Sequence, residues 1–346
     1  MTSLPAGRGP SARGSAPLLE LRSVTTEVSL DGRFWPVVND VSMALERGQV
    51  VGLVGESGSG KSMTARTILR LLPPGARSRG EVLLDGVDLL TLQSRSLREV
   101  RARRLALIFQ DPRAHIDPLW TSGDHLMEGL RTHQGLSRAD ARRRALELLA
   151  DVGIVDAERV LRSYPGELSG GMLQRVMIAG ALAADPDVLI ADEPTTALDV
   201  TIQAEIVAIF DGLRRDRELA MLFITHDLEL ASVICDRVLV MYAGRVMEEQ
   251  PTASLFAGPL HPYTAGLLKA RPRIDARHER LAVIPGRPPT ALEAPAGCPF
   301  HPRCTFVQDA CLAEVPPLSR IEAGASSACL RTNQIRDELR PDAVSV

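Results

Sequence analysis

Apolar and polar positions follow two different rhythms along this chain. From Leu18 to Leu45 the apolar residues Leu19, Leu21 and Val24 alternate with polar ones, a turn follows at Asp31-Gly32, and Val37, Val38, Val41 and Met43 form a second apolar stretch. Alternation with period two predicts antiparallel strands that bury one face. The runs Val50–Val54, Leu105–Phe109, Val188–Ala191, Met221–Thr225 and Val238–Tyr242 are instead apolar almost throughout. Such runs predict strands covered on both faces, as in a largely parallel sheet flanked by helices. A shorter strand is expected at Glu81–Asp85, after the Pro73-Pro74-Gly75 break. Helical spacing fills the intervals: a helix over 61–72 with Met63, Ile68, Leu69, Leu71 and Leu72 on its apolar side, and another near Ile202 to Leu213. Between residue 111 and about 175, Leu126, Leu130, Ala141, Ala145, Leu146, Leu148, Leu149 and Val152 recur at helical spacing, with turn signals at Gly135 and Gly153. That stretch predicts a helical insertion into an α/β fold.

One junction in the pattern carries chemistry. Behind the Val50–Val54 run, Gly55-Glu56-Ser57-Gly58-Ser59-Gly60-Lys61-Ser62-Met63 contains G-x-x-x-x-G-K-[ST], in which a strand turns into a helix around a phosphate. Gly55, Gly58 and Gly60 permit backbone angles that let successive N–H groups converge on an anion, and the helix N-terminus adds partial positive charge. Lys61 would reach the β- and γ-phosphates, and Ser62 would place its hydroxyl on Mg²⁺. The chain has two lysines, Lys61 and Lys269, within a Lys+Arg total of 40, so a lysine here is not background composition.

Composition narrows the class. At 346 residues and 45% apolar content the chain can build a large α/β unit with an appendage. A net charge of −3 argues against a strongly basic nucleic-acid binder. The basic run Arg95 to Arg104 lacks interleaved aromatic residues and reads as a solvated helix face. No apolar run approaches the ~20 residues that span a bilayer, so a membrane role would run through a partner. Residues 1–17 are rich in Gly, Ser, Ala, Pro and Arg, without the apolar core of a secretion signal, and are expected to be a disordered tail. Four of the five cysteines crowd between Cys298 and Cys329, which does not match a disulfide scaffold and places the protein in the cytoplasm.

Further motifs follow the phosphate loop. Leu168-Ser169-Gly170-Gly171-Met172-Leu173-Gln174-Arg175 resembles the LSGGQ-type signature of ATP-binding-cassette (ABC) proteins, and Val188 to Pro194 looks like their Walker B strand. Thr196-Ala197-Leu198-Asp199 resembles the loop after that strand, Gln110 the Q-loop glutamine and His226 the switch histidine. The resemblance spans about residues 18 to 250. It implies a P-loop NTPase ABC cassette: a mixed, mostly parallel sheet core with an antiparallel β subdomain and a helical subdomain at about 111–175, followed over 251–346 by a small irregular C-terminal extension. It also implies an ATPase. Phosphoryl transfer needs its charge neutralised and its nucleophile aligned. By resemblance, Ser62, Gln110 and Asp192 would hold Mg²⁺, Glu193 would orient and deprotonate the attacking water, and His226 would reach the γ-phosphate. Residues 55–63 would cradle one ATP, while Ser169, Gly170, Gly171 and Asp199 would face the ATP of a second cassette, closing head to tail. Where family members stack the adenine on an aromatic residue this chain carries Val28, with Phe34 and Trp35 as nearby substitutes.

The C-terminal third narrows the resemblance. Leu260-His261-Pro262-Tyr263-Thr264-Ala265-Gly266-Leu267-Leu268, then Ile284-Pro285-Gly286-Arg287-Pro288-Pro289 and Gly297-Cys298-Pro299-Phe300-His301-Pro302-Arg303-Cys304, resemble the extension of ATP-binding subunits of oligopeptide, dipeptide and nickel importers. The partners so implied are a second ATP-binding subunit, identical or paralogous, two permease subunits met through residues near 111 to 130, and, indirectly, an extracytoplasmic solute-binding protein. No nucleic acid is implied, and the location is the cytoplasmic face of the cell membrane. Cys298, Cys304, Cys311 and Cys329 are thiols of the kind that bind Zn²⁺ or iron–sulfur clusters. The resemblance favours a [4Fe–4S] cluster over zinc, with thiols that merely pack together as a third reading and His301 as a lesser candidate ligand. Cys235 lies among apolar residues and reads as structural. The alternative function is a cytosolic, non-transport ABC ATPase acting on the ribosome or DNA; such proteins usually carry duplicated cassettes or a long coiled-coil insertion, and this sequence has neither.

Overall fold

In the computed structural model, which describes residues 16–196, 198–271 and 283–340, the alternating segments form two long antiparallel strands, β1 (Leu19–Leu30) and β2 (Arg33–Leu45). All but the last two positions of the tail expected over 1–17 lie outside the described residues, as does Ala197. Asp31 and Gly32 both take positive φ, 50° and 74°, which closes the hairpin with the twist that adjoining strands prefer. The chain then passes through β3 (Val50–Val54) and α1 (Lys61–Ile68), and returns as β4 (Arg77–Leu84) and β5 (Val87–Asp88) to complete a four-stranded sheet ordered β2-β1-β4-β5. The basic run becomes α2 (Ser94–Arg103), which buries Leu97 and Val100 and leaves most of its remaining surface solvated.

After β6 (Leu105–Ile108) come α3 (Pro112–His115), α4 (Ser122–Gln134), α5 (Arg138–Asp151), α6 (Ala157–Arg162) and α7 (Gly170–Leu182). Their ends follow the turn signals: Gly135 caps α4 in the left-handed region and Ser137 caps α5 by accepting from the Asp140 N–H. The α/β alternation resumes with β7 (Val188–Asp192), α8 (Val200–Arg217), β8 (Ala220–Thr225), α9 (Leu228–Ile234) and β9 (Arg237–Tyr242). Strands β9, β3, β8, β7 and β6 lie side by side and parallel. Every residue of β3, β7 and β8 is buried. Alternate side chains feed opposite cores: Val50 and Val54 join the helical side, Val51 and Leu53 the side covered by the antiparallel sheet. This two-sided burial is why the runs are continuously apolar.

The extension departs from expectation. β10 (Arg245–Pro251) folds antiparallel onto β9, and α10 (Thr252–Ala257) and α11 (Pro262–Lys269) follow. Beyond α12 (Asp309–Ala313), a hairpin of β11 (Ser319–Glu322) and β12 (Ala325–Ser327) adds to β10 before α13 (Thr332–Leu339). Among the described residues the central sheet therefore has eight strands, ordered β11-β12-β10-β9-β3-β8-β7-β6. An extension read as irregular is thus woven into the core sheet. The hairpin segments Ser-Arg-Ile-Glu and Ala-Ser-Ser give no strand signal because they form a short, largely polar edge.

Glu248 on β10 ties the extension down. Fully buried, it accepts from the Leu260 N–H and His261 N–H, each at 2.8 Å, and from Gln250 Nε2 at 2.6 Å. The buried His261 in turn accepts the Tyr263 N–H at Nδ1, 3.0 Å away. Burial raises Glu248 from 4.5 to about 6 and lowers His261 from 6.5 to about 3. Between pH 4.5 and 6 folded Glu248 keeps a proton that the unfolded chain releases, so its contribution to stability falls as pH rises. Below pH 6.5 unfolded His261 takes up a proton that the fold excludes until about 3, so its contribution falls as pH drops. The two oppose each other from 4.5 to 6, and below 4.5 His261 acts alone. His261→Asn, which keeps an acceptor for the Tyr263 N–H, is expected to flatten the pH dependence of urea-unfolding stability by up to about 1.4 kcal/mol per pH unit below that point. Equal slopes for variant and wild type would remove His261 as the titrating group.

Candidate functional site

The chain leaves β3 at Val54 and enters α1 through a loop in which Gly55 and Gly60 have no room for side chains. A Cβ on Gly55 would lie 2.1 Å from the Met241 carbonyl oxygen, and one on Gly60 2.7 Å from that of Val37. Gly60 also caps α1 with φ of 105°. Lys61 is 4% exposed; its Nζ donates to the carbonyl oxygens of Gly55 at 2.7 Å and Glu56 at 3.0 Å, with Glu193 Oε1 4.0 Å away. Burial lowers its pKa, while the carboxylates of Glu193, Asp192 and Glu56 act the other way. An ammonium held against two loop carbonyls is a charge that an incoming phosphate can take over.

Beside it, Ser62 Oγ donates to Asp192 Oδ1 at 2.9 Å. Asp192 ends the buried strand β7, and burial raises its pKa, partly countered by the Ser62 hydrogen bond. The pair offers two oxygens of the type that Mg²⁺ takes from P-loop proteins. The next residue, Glu193, turns into the left-handed region at φ of 47°, anchored by its N–H to the Ile224 carbonyl at 2.9 Å. Its Oε2 accepts from Gln110 Nε2 at 3.0 Å and from Thr196 Oγ1 at 2.9 Å, and stands 3.3 Å from His226 Nδ1. Gln110 follows β6, Glu193 follows β7 and His226 lies beyond β8, so the carboxyl ends of three adjacent parallel strands converge on one carboxylate. Ligands of open α/β sheets bind at such ends. In this arrangement Gln110 bonds Glu193 and not the Ser62–Asp192 pair expected to hold Mg²⁺.

Lys61, Ser62, Gln110, Glu193, Thr196 and His226 line one open cleft of about 890 Å³, ample for a nucleotide. Its other wall comes from Val37 on β2 and from the extension: Leu267, Pro288, Thr290, Ala291 and Leu292. Val28, Phe34 and Trp35 are not among its lining residues; the Arg77 guanidinium covers the Phe34 ring at 3.6 Å. Sequence reasoning missed both Thr196 as a partner of Glu193 and the wall over 288–292. The stretch Pro288-Pro289-Thr290-Ala291-Leu292 carries no charged or metal-ligating side chain, and its nearness to the loop could not be read from spacing.

The second expected cradle lies elsewhere. Ser169 caps α7 by accepting the Met172 N–H at 3.3 Å, and Asp199 caps α8 by accepting the Ile202 N–H at 3.0 Å. Gly171 packs so close to α8 that a Cβ would meet Ile202 Cγ2 at 2.8 Å. None of Ser169, Gly170, Gly171 and Asp199 lines the cleft around Lys61.

Cys298, Cys304, Cys311 and Cys329 do come together, around one small apolar pocket that His301 also lines. All four are free thiols. Burial pushes Cys298 up to about 12 and Cys304 up to about 11, with the neighbouring thiols adding to the shift. Among the described residues, however, no group of three or more His, Cys, Asp or Glu side chains is placed to hold a metal ion. The expected [4Fe–4S] ligation therefore gains no support from this geometry, although the thiols share a pocket as that expectation requires. His301 Nδ1 lies 2.9 Å from the Cys298 carbonyl oxygen and points to the backbone.

Comparison with known proteins agrees with this geometry. Residues 38–196 match the ABC transporter family, and residues 247–311 match the oligopeptide/dipeptide transporter C-terminal region. A "Putative peptide import ATP-binding protein" of Brucella abortus (strain 2308) is 47% identical over 316 residues, 91% of this chain and 95% of that protein. One of the same description from Brucella melitensis biotype 1 is 45% identical over 332 residues, 92% of this chain and 98% of its own. Among solved structures, the ATP-binding cassette MJ0796, a dimer in a post-hydrolysis state bound to ADP and Pi, aligns with a TM-score of 0.61 at 29% identity, covering 68% of this chain and 98% of that one. CbiO1 from Clostridium perfringens, part of the ABC transporter complex cbiONQ, aligns with a TM-score of 0.61 at 26% identity, covering 70% and 92%. None of these is described as acting on the ribosome or DNA. With its phosphate loop, its strand-end carboxylates and its C-terminal extension all matched, the chain belongs to the ABC transporter family, as an ATP-hydrolysing subunit of the oligopeptide/dipeptide importer type.

Proposed function

We propose that this ATPase powers import of peptides or a related small solute, as one of two cassettes that close on ATP against a pair of membrane permease subunits. The observation that carries the reading is the convergence of Gln110, Thr196 and His226 on Glu193 beside Lys61 and the Ser62–Asp192 pair. In this reading the loop over 55–63 and Lys61 bind the phosphates, and Ser62 and Asp192 hold Mg²⁺, with Gln110 joining when nucleotide is present. Mg²⁺, when bound, would neutralise phosphate charge. Glu193 aligns and deprotonates water, and His226 holds that carboxylate in line with the γ-phosphate. The purine would rest on the apolar wall of Val37, Leu267, Pro288, Ala291 and Leu292, in place of the aromatic platform sought at Val28.

Because Ser169, Gly170, Gly171 and Asp199 stand away from this cleft, they serve an ATP held by a second cassette, identical or paralogous. The dimeric state of MJ0796 supports that arrangement. A cassette over 18–250, with helices at about 111–175, would meet the permeases through α3 and α4. There Leu119 is 82% and Trp120 42% exposed, and Trp120, Asp124, Met127, Glu128 and Arg131 line a cleft of about 570 Å³. Among the described residues no helix is long and apolar enough to cross a membrane, which fits a peripheral subunit on the cytoplasmic face. The names of the Brucella relatives support peptide as the solute, delivered to the permeases by an extracytoplasmic binding protein. For Cys298, Cys304, Cys311 and Cys329 a [4Fe–4S] cluster, preferred to zinc, is the reading that the resemblance of the extension favours; the four line one pocket but are not placed to hold an ion.

Glu193→Gln keeps an acceptor for Gln110 and Thr196 but removes the base, and is expected to lower ATP turnover by at least about 100-fold while ATP-dependent dimerisation persists. Hydrolysis near the wild-type rate would discard this base. Leu119→Asp with Trp120→Ala should leave MgATP affinity of the isolated subunit unchanged and abolish its co-purification with the permeases. Retained co-purification would move the docking face elsewhere. Protein purified without oxygen should show a broad visible absorption band and stoichiometric iron, both lost in Cys298→Ser. Colourless, iron-free wild-type protein would exclude the cluster.

A further inference from the structure

Glu56, the second residue of the phosphate loop, is held by the extension from two sides. Its backbone N–H donates to the Tyr263 hydroxyl on α11 at 3.0 Å. Its carboxylate accepts from Arg303 twice, Nη1 to Oε2 at 2.6 Å and Nη2 to Oε1 at 3.1 Å. The Arg303 side chain is 5% exposed and that of Glu56 25%, so this fork is shielded from the solvent that weakens surface pairs. Arg303 has further anchors: Nε donates to the Pro285 carbonyl at 2.9 Å, and Nη1 lies 3.4 Å from the Tyr242 hydroxyl. Its backbone is pinned in a tight turn, with the Arg303 N–H donating to the Phe300 carbonyl at 3.0 Å and the Cys304 N–H to that of His301 at 3.2 Å. Phe300 packs against both Tyr242 and Tyr263, each at 5.3 Å between ring centroids, joining the two supports of Glu56 into one rigid block.

In a phosphate loop the backbone N–H groups bind the anion, so whatever fixes the peptide planes fixes affinity. Gly55 and Gly60 pack against the Met241 and Val37 carbonyls, whereas the N–H and the carboxylate of Glu56, between them, are held by residues of the extension. We propose that Arg303 is a positioning residue of the ATP site, holding the phosphate loop in its anion-binding shape through Glu56 with Tyr263 as its second support. The proposal rests on the ATP site described above. It makes the extension a working part of nucleotide binding and not an appendage to it.

The test is MgATP affinity of the full-length protein, measured by displacement of a fluorescent ATP analogue, together with the kcat and KM of hydrolysis. Arg303→Gln is expected to weaken affinity about fivefold or more and to raise KM by the same factor with kcat within about twofold. Glu56→Gln should weaken affinity to a similar degree, and the double variant should be no weaker than either single one, because the two act through one contact. Arg303→Lys, which keeps charge but loses the fork, should fall between wild type and Arg303→Gln. If Arg303→Gln does not fold, Arg303→Lys and Glu56→Gln carry the same comparison. Unchanged affinity in these variants, or additive losses in the double one, would overturn the proposal. Wild-type protein that binds no MgATP would instead overturn the reading of the cleft itself.

Discussion

A nearly buried ammonium at the end of a fully apolar strand is the constraint around which this molecule is arranged. Lys61 cannot sit there without acceptors, because an unpaired charge away from water costs several kcal/mol, on the order of a domain's whole stability. Two loop carbonyls accept its hydrogen bonds and the carboxylates of Glu193, Asp192 and Glu56 supply compensating charge. Asp192 and Glu193 are near because β7 lies across β8 from β3 and ends level with it, while Glu56 belongs to the loop itself. The same neighbours account for the glycines: with Met241 and Val37 carbonyls against Gly55 and Gly60, any side chain would push the loop off its strand. Charge compensation and close packing thus set the loop jointly, before any ligand arrives.

Two-sided burial of the parallel strands supplies the rigidity this arrangement needs. Side chains of β3 and β8 alternate between two apolar clusters, so a shift of either strand would disturb both. The extension adds a third restraint by continuing the sheet through β10 and β12 and by gripping Glu56 through Arg303. A segment that looks like an afterthought in the chain order therefore closes over the centre of the fold.

What could be read from the sequence was whatever is written in local spacing. The continuous apolar runs located β3, β6, β7, β8 and β9, and the motif around Lys61 located the loop. Gln110, Glu193 and His226 were placed by resemblance to the motifs of the family, each at or just beyond the end of such a run. The β11–β12 hairpin was invisible because Ser319–Glu322 and Ala325–Ser327 bury little apolar surface and pair only once β10 is in place. The wall over 288–292 and the reach of Arg303 to Glu56 were invisible for a different reason: they join positions far apart in the chain, 247 residues for Arg303 and Glu56, and nothing in either segment's own pattern encodes the other. Val28, Phe34 and Trp35, the positions that the family resemblance offered for the adenine, do not line the cleft.

The two-cassette arrangement proposed above rests on the separate placement of Lys61 and the Ser169 segment. Lys61 is flanked on every side by its own chain, with Glu193 and Thr196 below and the extension above, and the signature residues Ser169 to Gly171 are absent from that cleft. Yet Ser169 caps a 13-residue helix whose first N–H groups and partial positive charge would attract an anion. Gly171 is required there by its packing on α8, so part of that signature is explained by the monomer alone. Gly170 is not so explained: a Cβ on it would meet no atom closer than Leu198 Cδ2 at 3.6 Å, an ordinary contact. The space beside Gly170, at the mouth of a helix N-terminus, is compatible with the proposed approach of a triphosphate carried by a second cassette.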